Sequence, residues 1–165
     1  MVLNIAPLTR FEQSAVSFVL QQPLSLDYKG NTAYFKEPAS IEGEITILGE
    51  GLFQASGNIK AVCVTPCDCC LEEAEQALEI TFSERYSRLE DQQDVYTFTG
   101  DTIDLSQMVE ENVLLHMPMR ILCKEDCRGL CPLCGTNLNY NQCNCVQQSV
   151  GAFDKLKSLM DEEEV

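Results

Sequence analysis

Basic residues are scarce in this chain: 11 Lys and Arg stand against 26 Asp and Glu, leaving −15 at pH 7. A field of that sign repels phosphate, which excludes broad electrostatic capture of DNA or RNA and favours a basic partner. Long apolar runs are missing too. No stretch approaches the ~20 apolar residues of a membrane span, and Ala15 to Leu20 is apolar but short and interrupted, so no membrane partner is expected. The first residues lack a basic segment followed by an apolar core, so no secretory signal is expected and the chain reads as cytoplasmic. There is one histidine, His116. With no second His for a relay, no Gly-rich phosphate loop and no GxSxG, and with no motif that singles out two carboxylates, enzymatic activity is not expected.

Cysteine, by contrast, is abundant. Ten cysteines in a chain without an export signal point to a reducing compartment, where thiols serve metals or catalysis more often than disulfides. Six of them, Cys123, Cys127, Cys131, Cys134, Cys143 and Cys145, fall within the twenty-three residues from 123 to 145. Cys131-Pro-Leu-Cys134-Gly135 has the form of a zinc knuckle: two thiols flank a Pro, and a Gly follows that can take positive φ. Cys143-Asn-Cys145 returns after a short Asn-rich excursion. Two ligand pairs joined by a polar loop suit tetrahedral Zn²⁺, since four thiolates about 2.3 Å from one ion must come from two places. A thioredoxin-type site would need a helix after Cys134 to lower the thiol pKa, and Gly135-Thr136-Asn137-Leu138-Asn139 reads as a loop.

The expectation is therefore one structural zinc ion. Cys131 and Cys134 are its first two ligands, and at least one of Cys143 and Cys145 joins them. The fourth is the other of that pair, or Cys127 or Cys123, because one intervening residue makes it strained for both Cys143 and Cys145 to reach one ion. A second cluster, Cys67-Asp68-Cys69-Cys70-Leu71, reads either as a CxxC ligand pair or as a tight turn. A two-zinc arrangement, in which Cys67 and Cys70 meet Cys123 and Cys127, is the alternative these counts allow. Cys63 shares the parity of Ile59 and Ala61 and reads as a buried, inert thiol. His116 reads as a helix C-terminal residue before it reads as a ligand.

The fold class expected is α+β: an antiparallel β meander or partly open barrel with one or two helices and a C-terminal Cys-rich zinc-knuckle lobe. Met1 to Leu8 looks like a strand ended by Pro7, while residues 10–40 are poorly patterned. From Ile41 the alternation sharpens, with Ile41, Gly43, Ile45 and Ile47 opposite Glu42, Glu44, Thr46 and Leu48. Gly49-Glu50-Gly51 makes a hairpin connection into a longer strand, Phe53 to about Val64. A third strand carries Leu78, Ile80 and Phe82 to about Tyr86, and Val95 to Thr99 adds a short fourth. A helix near 104–116, capped by Asp101 or Asp104 and stopped by Pro118, carries Leu105, Met108, Val109, Asn112, Val113 and His116 at helical spacing on one stripe. The body thus spans 1–120 and the cysteine lobe 121–165, with a short helix over Ala152 to Met160 and a solvated acidic tail from Asp161 to Glu164. Between Ala61 and Met119 there are thirteen acids and two bases, whereas Cys127 to Phe153 contains no acid and one base, Arg128. An acidic body thus carries an almost uncharged lobe.

In order of motifs the chain resembles the YceD family, the large ribosomal RNA subunit accumulation proteins. Cys67 to Leu71 stands where the family has a C-x-R-C-L turn. Ile103-Asp104-Leu105 matches the helix entry and Leu115 to Pro118 its exit. Cys123-x-x-x-Cys127-Arg-Gly-Leu-Cys131-Pro-Leu-Cys134-Gly-Thr-Asn-Leu-Asn, followed by Cys143-Asn-Cys145, is the specific element. Two positions depart from the pattern: Cys69 replaces an Arg, and the family more often has an apolar residue where His116 sits. The resemblance implies a cytoplasmic, non-enzymatic protein supporting accumulation of large-subunit ribosomal RNA, hence ribosome assembly. Its partner would be a basic ribosomal protein or pre-ribosomal RNA of the large subunit. Family members often lie beside the gene of a small zinc-binding ribosomal protein, and some lack the cysteine module, which makes zinc a scaffold.

Overall fold

A computed structural model of the chain describes residues 1–28, 30–49, 51–89 and 94–145. In chain order the elements are β1 (Val2–Asn4), α1 (Ala6–Thr9), β2 (Ala15–Gln22), β3 (Ser25–Tyr28), β4 (Asn31–Phe35), β5 (Ala39–Gly49), β6 (Leu52–Pro66), β7 (Glu73–Ser87), β8 (Tyr96–Thr97), β9 (Thr102–Asp104) and α2 (Ser106–His116). The expected helix over Ala152 to Met160 and the acidic tail lie outside the described residues.

Strand β6 is the axis of the sheet. One of its edges pairs antiparallel with β7 along its whole length, from Leu52↔Ser87 to Pro66↔Glu73. Its other edge forks. Residues up to Lys60 pair with β5, which passes on to β2, whereas Cys63 and Val64 pair with Phe35 and Tyr34 of β4, which passes on to β3. The expected meander is β5-β6-β7, and among the described residues the sheet does not close into a barrel. The short fourth strand is β8, and it runs parallel to β7 through Tyr86↔Tyr96.

Alternation explains the long strands. Phe53, Ala55, Ile59, Ala61 and Cys63 of β6, and Ala74, Leu78, Ile80, Phe82 and Tyr86 of β7, are buried on the core face. Glu42, Glu44, Glu73, Glu75 and Glu79 stand exposed on the other. Two glycines shape the middle of the sheet. Phe18, Gly43, Gly57 and Phe82 form one row across four strands. A Cβ on Gly57 would lie 2.1 Å from the Glu42 carbonyl oxygen, and one on Gly43 2.3 Å from that of Ser56. The close approach therefore requires glycine at both positions, and the two phenylalanine rings bury beside them.

The start of the chain differs from the single strand its alternation suggests. After β1 the backbone turns at Ile5 into the one-turn helix α1 with Pro7 inside it, because a first helical turn needs no proline N–H. Asn4 Oδ1 accepts the Ala6 N–H at 2.8 Å. Residues 10–40, unpatterned in sequence, hold β2, β3 and β4. Strand β1 pairs with β9, and α2 follows at once, with Asp104 Oδ1 accepting the Ser106 N–H at 2.9 Å. Met108, Val109, Asn112 and Val113 of α2 are buried. Pro118 follows its end, and the chain runs on towards the β6–β7 turn.

Candidate metal centres

That turn is the first half of the first centre. Strand β6 ends at Pro66, and Cys67 to Glu72 reverses the chain: the Leu71 N–H donates to the Cys67 carbonyl at 3.0 Å, and the Cys67 N–H to the Glu72 carbonyl at 2.7 Å. Leu71 takes a φ of 65° to complete the reversal. Asp68 then seizes the chain that leaves α2. Its N–H donates to the Ile121 carbonyl at 2.9 Å, and its Oδ2 accepts the Ile121 N–H at 2.7 Å. This two-way pairing delivers Cys123 and Cys127 over Cys67 and Cys70.

The result is a four-sulfur group. Cys67 Sγ and Cys127 Sγ are 3.8 Å apart, Cys70 Sγ and Cys123 Sγ 3.4 Å. All four sulfurs lie within 4.8 Å of one another. Thiolates at about 2.3 Å from a tetrahedral ion stand about 3.8 Å apart, so the spacing fits one ion. Cys67 and Cys70 are buried, and Cys123 and Cys127 half-buried.

Cys131, Cys134, Cys143 and Cys145 form the second group, their sulfurs again within 4.8 Å of one another. The Cys131–Thr136 turn closes through its own backbone. The Gly135 N–H donates to the Cys131 carbonyl at 2.9 Å with Gly135 at φ 72°, and the Cys131 N–H donates to the Thr136 carbonyl at 2.8 Å. The Asn-rich excursion is built from its own side chains. Asn137 Oδ1 accepts the Asn139 N–H at 3.0 Å, and Asn139 Oδ1 accepts the Arg128 N–H at 2.9 Å. The loop returns Cys143 and Cys145 together, so the single residue between them does not keep either from the group.

The thiols of each group differ in proton affinity, as crowded like charges must. Burial raises Cys67, but backbone N–H groups, led by that of Cys69 at 3.4 Å from its sulfur, outweigh it and bring Cys67 down to about 6. The Thr136 hydroxyl, 3.1 Å away, leads in bringing Cys134 to about 6. The Asn139 amide lowers Cys127. Cys123 and Cys145 are pushed up to about 12, chiefly by the sulfurs of Cys70 and Cys134. Both groups thus hold thiols of lowered and of raised proton affinity side by side, and a dication is the species that would let all four ionise.

All six cysteines expected as ligands sit in these groups, divided between them. Cys67 and Cys70, outside that six, join Cys123 and Cys127, and the sequence signal for them was their CxxC spacing. His116 belongs to neither group: it is exposed at the end of α2 with Nδ1 2.8 Å from the Asn112 carbonyl oxygen. Cys63 is buried in the core, and burial raises its thiol pKa. Cys69 also stays outside the groups, and Arg120 Nη2 donates to its sulfur at 2.8 Å.

Among known proteins, the family model described as "Large ribosomal RNA subunit accumulation protein YceD" matches residues 55–160. An uncharacterized protein of Mycobacterium tuberculosis is 29% identical over 98 residues, covering 55% of this chain and 47% of its own length. One from Mycobacterium leprae is 27% identical over 108 residues, covering 61% of this chain and 49% of its own length. The chain thus spans about half the length of these relatives. The chloroplastic "Large ribosomal RNA subunit accumulation protein YCED homolog 1" of Arabidopsis thaliana is 30% identical over 66 residues, covering 38% of this chain and 21% of its own length. No solved structure matches the chain significantly.

Proposed function

The chain belongs to the YceD family, and from this premise we propose that it is a non-enzymatic factor supporting accumulation of large-subunit ribosomal RNA and assembly of the large ribosomal subunit. The observation that carries the reading is the extent of the family match. Residues 55–160 take in most of β6, all of β7 and α2, and both cysteine groups. In this reading zinc is the metal, held as a scaffold by Cys131, Cys134, Cys143 and Cys145, since an all-thiolate site is closed and leaves no open position for substrate. The protein works in the cytoplasm, where its thiols stay reduced.

The partner this reading favours is a basic ribosomal protein. A net charge of −15 attracts a basic surface and raises its on-rate, whereas RNA phosphates meet repulsion. The acids exposed on β5 and β7 supply part of that field. Depletion followed by ribosome profiling tests the function: the ratio of large- to small-subunit RNA should fall and free small subunits accumulate. Unchanged ratios would overturn it. Cross-linking then separates a protein partner from pre-ribosomal RNA.

A thiol redox or metal-handling role is the second reading, favoured by one feature: Cys134 is exposed and its pKa falls to about 6. Rapid alkylation of Cys131 and Cys134 in metal-free protein would support it. Stoichiometric zinc that protects both thiols supports the scaffold.

A further inference from the structure

The geometry points to a second structural zinc site, made by Cys67, Cys70, Cys123 and Cys127, that clasps the β6–β7 turn to the segment leading into the lobe. It rests on these four sulfurs and not on the ribosomal reading. Two sulfur pairs cross the seam, Cys67 with Cys127 at 3.8 Å and Cys70 with Cys123 at 3.4 Å, over sequence separations of 60 and 53 residues. Close approach of thiols within one CxxC turn follows from the turn itself. Approach of two thiols from each side, all four within 4.8 Å, is the arrangement one ion imposes on two chain segments.

The surroundings suit a closed site. Cys67 is 0% and Cys70 4% exposed, and burying thiolates is unfavourable unless a cation or hydrogen bonds compensate. The Cys69 N–H faces Cys67 Sγ at 3.4 Å, and Asn139 Nδ2 donates to Cys127 Sγ at 3.4 Å. The segment between the two groups is pinned to the same turn. The Leu130 N–H donates to the Cys69 carbonyl at 3.1 Å, and Gly129, at φ 70°, passes so close that a Cβ there would lie 3.0 Å from that oxygen. Soft thiolate donors in a tetrahedral set select zinc over harder divalent ions. An iron–sulfur cluster, whose cysteines bind different irons, spreads its sulfurs further apart than one shared ion does.

Binding would be a simple exchange: Zn²⁺ replaces the thiol protons, which leave to buffer, with no change of redox state. Cadmium exchange into the intact chain under reductant tests the site without any substitution. Two ¹¹³Cd resonances in the tetrathiolate region are expected, one of them correlated with the β-protons of Cys67, Cys70, Cys123 and Cys127. A single resonance, or none correlated with those four residues, would overturn the proposal. So would peptide mapping that finds Cys67–Cys127 or Cys70–Cys123 disulfides at a cytosolic redox poise. Zinc content gives an independent reading: two ions per chain are expected, and one in the Cys131→Ser/Cys134→Ser variant. One ion per chain in the unaltered protein would count against the clasp.

Discussion

Asn139 Nδ2 donates to Cys127 Sγ at 3.4 Å, although Asn139 lies in the loop that closes the second sulfur group and Cys127 belongs to the first. Its Oδ1 meanwhile accepts the Arg128 N–H at 2.9 Å, so one amide orients the chain just after Cys127 and the sulfur itself. A side chain of the second group's loop thus serves a sulfur of the first. Outer partners of this kind typically change metal affinity by about 10–100-fold. If each group holds an ion, Asn139→Ala should therefore weaken the one at Cys127 by roughly that factor and leave the other within a few-fold, as read by titration with a chromophoric chelator. Equal loss from both ions, or none from either, would break the assignment.

The thiols also set a pH dependence with a definite sign. Cys123 and Cys145 are held up to about 12, and Cys70 and Cys143 are raised as well, so all four carry protons at neutral pH in the metal-free chain. Each incoming ion must displace at least two of them, Cys70 and Cys123 in the first group, Cys143 and Cys145 in the second. Apparent affinity should therefore rise with pH through the neutral range. It should fall more steeply below about 6, where Cys67 and Cys134 are themselves mostly protonated and must release protons too. Calorimetry in buffers of different ionisation enthalpy counts the protons released. Proton-neutral binding at pH 7 would contradict the arrangement.

The parts of this fold legible in the sequence are those whose signal is local. Strands β5 and β6 were readable because Ile41, Gly43 and Ile45, then Phe53 to Cys63, keep strict alternation. Helix α2 was readable from its buried stripe at helical spacing. Strands β2 to β4 were not, because their short pieces carry few buried anchors, Phe18 and Ala33 among them, while Val19 is 75% exposed. Their pairing is specified by the long strands they dock on. The metal centres divide the same way. Each CxxC and the Gly135 turn are local chemistry, visible from spacing. Which pair meets which depends on Asp68 finding Ile121 across 53 residues, and on the Asn137–Asn139 turns that return Cys143 and Cys145.

The glycine row offers a prediction about the body alone. In metal-saturated protein Gly57→Ala should be destabilising by about 1–3 kcal/mol or more, the range of overpacking, because its Cβ would meet the Glu42 carbonyl at 2.1 Å. The obstacle is backbone, which no rotamer change relieves. Ser56→Ala, one position away on a partly exposed site, serves as the control and should stay within about 0.5 kcal/mol. Urea midpoints of the two variants give the comparison, and similar values would mean that the strands part more easily than this packing implies.

Asp68 ties the β6–β7 turn to the segment after α2 while belonging to neither sulfur group. Its carboxylate accepts the Ile121 N–H at 2.7 Å while its own N–H reaches the Ile121 carbonyl at 2.9 Å. A hydrogen bond to a charged acceptor is worth about 1.5–3 kcal/mol, reduced here because Asp68 is exposed. Asp68→Ala should therefore lower protection of the Ile121 amide in hydrogen exchange by about tenfold, the equivalent of ~1.4 kcal/mol. Asp68→Asn keeps an acceptor oxygen and should restore most of it. If Cys67, Cys70, Cys123 and Cys127 share an ion, zinc should blunt the Asp68→Ala effect and a chelator should enlarge it, since the metal and the carboxylate hold the same two segments together. An effect of Asp68→Ala indifferent to zinc would separate the strap from the sulfurs and leave the carboxylate as a local turn device only.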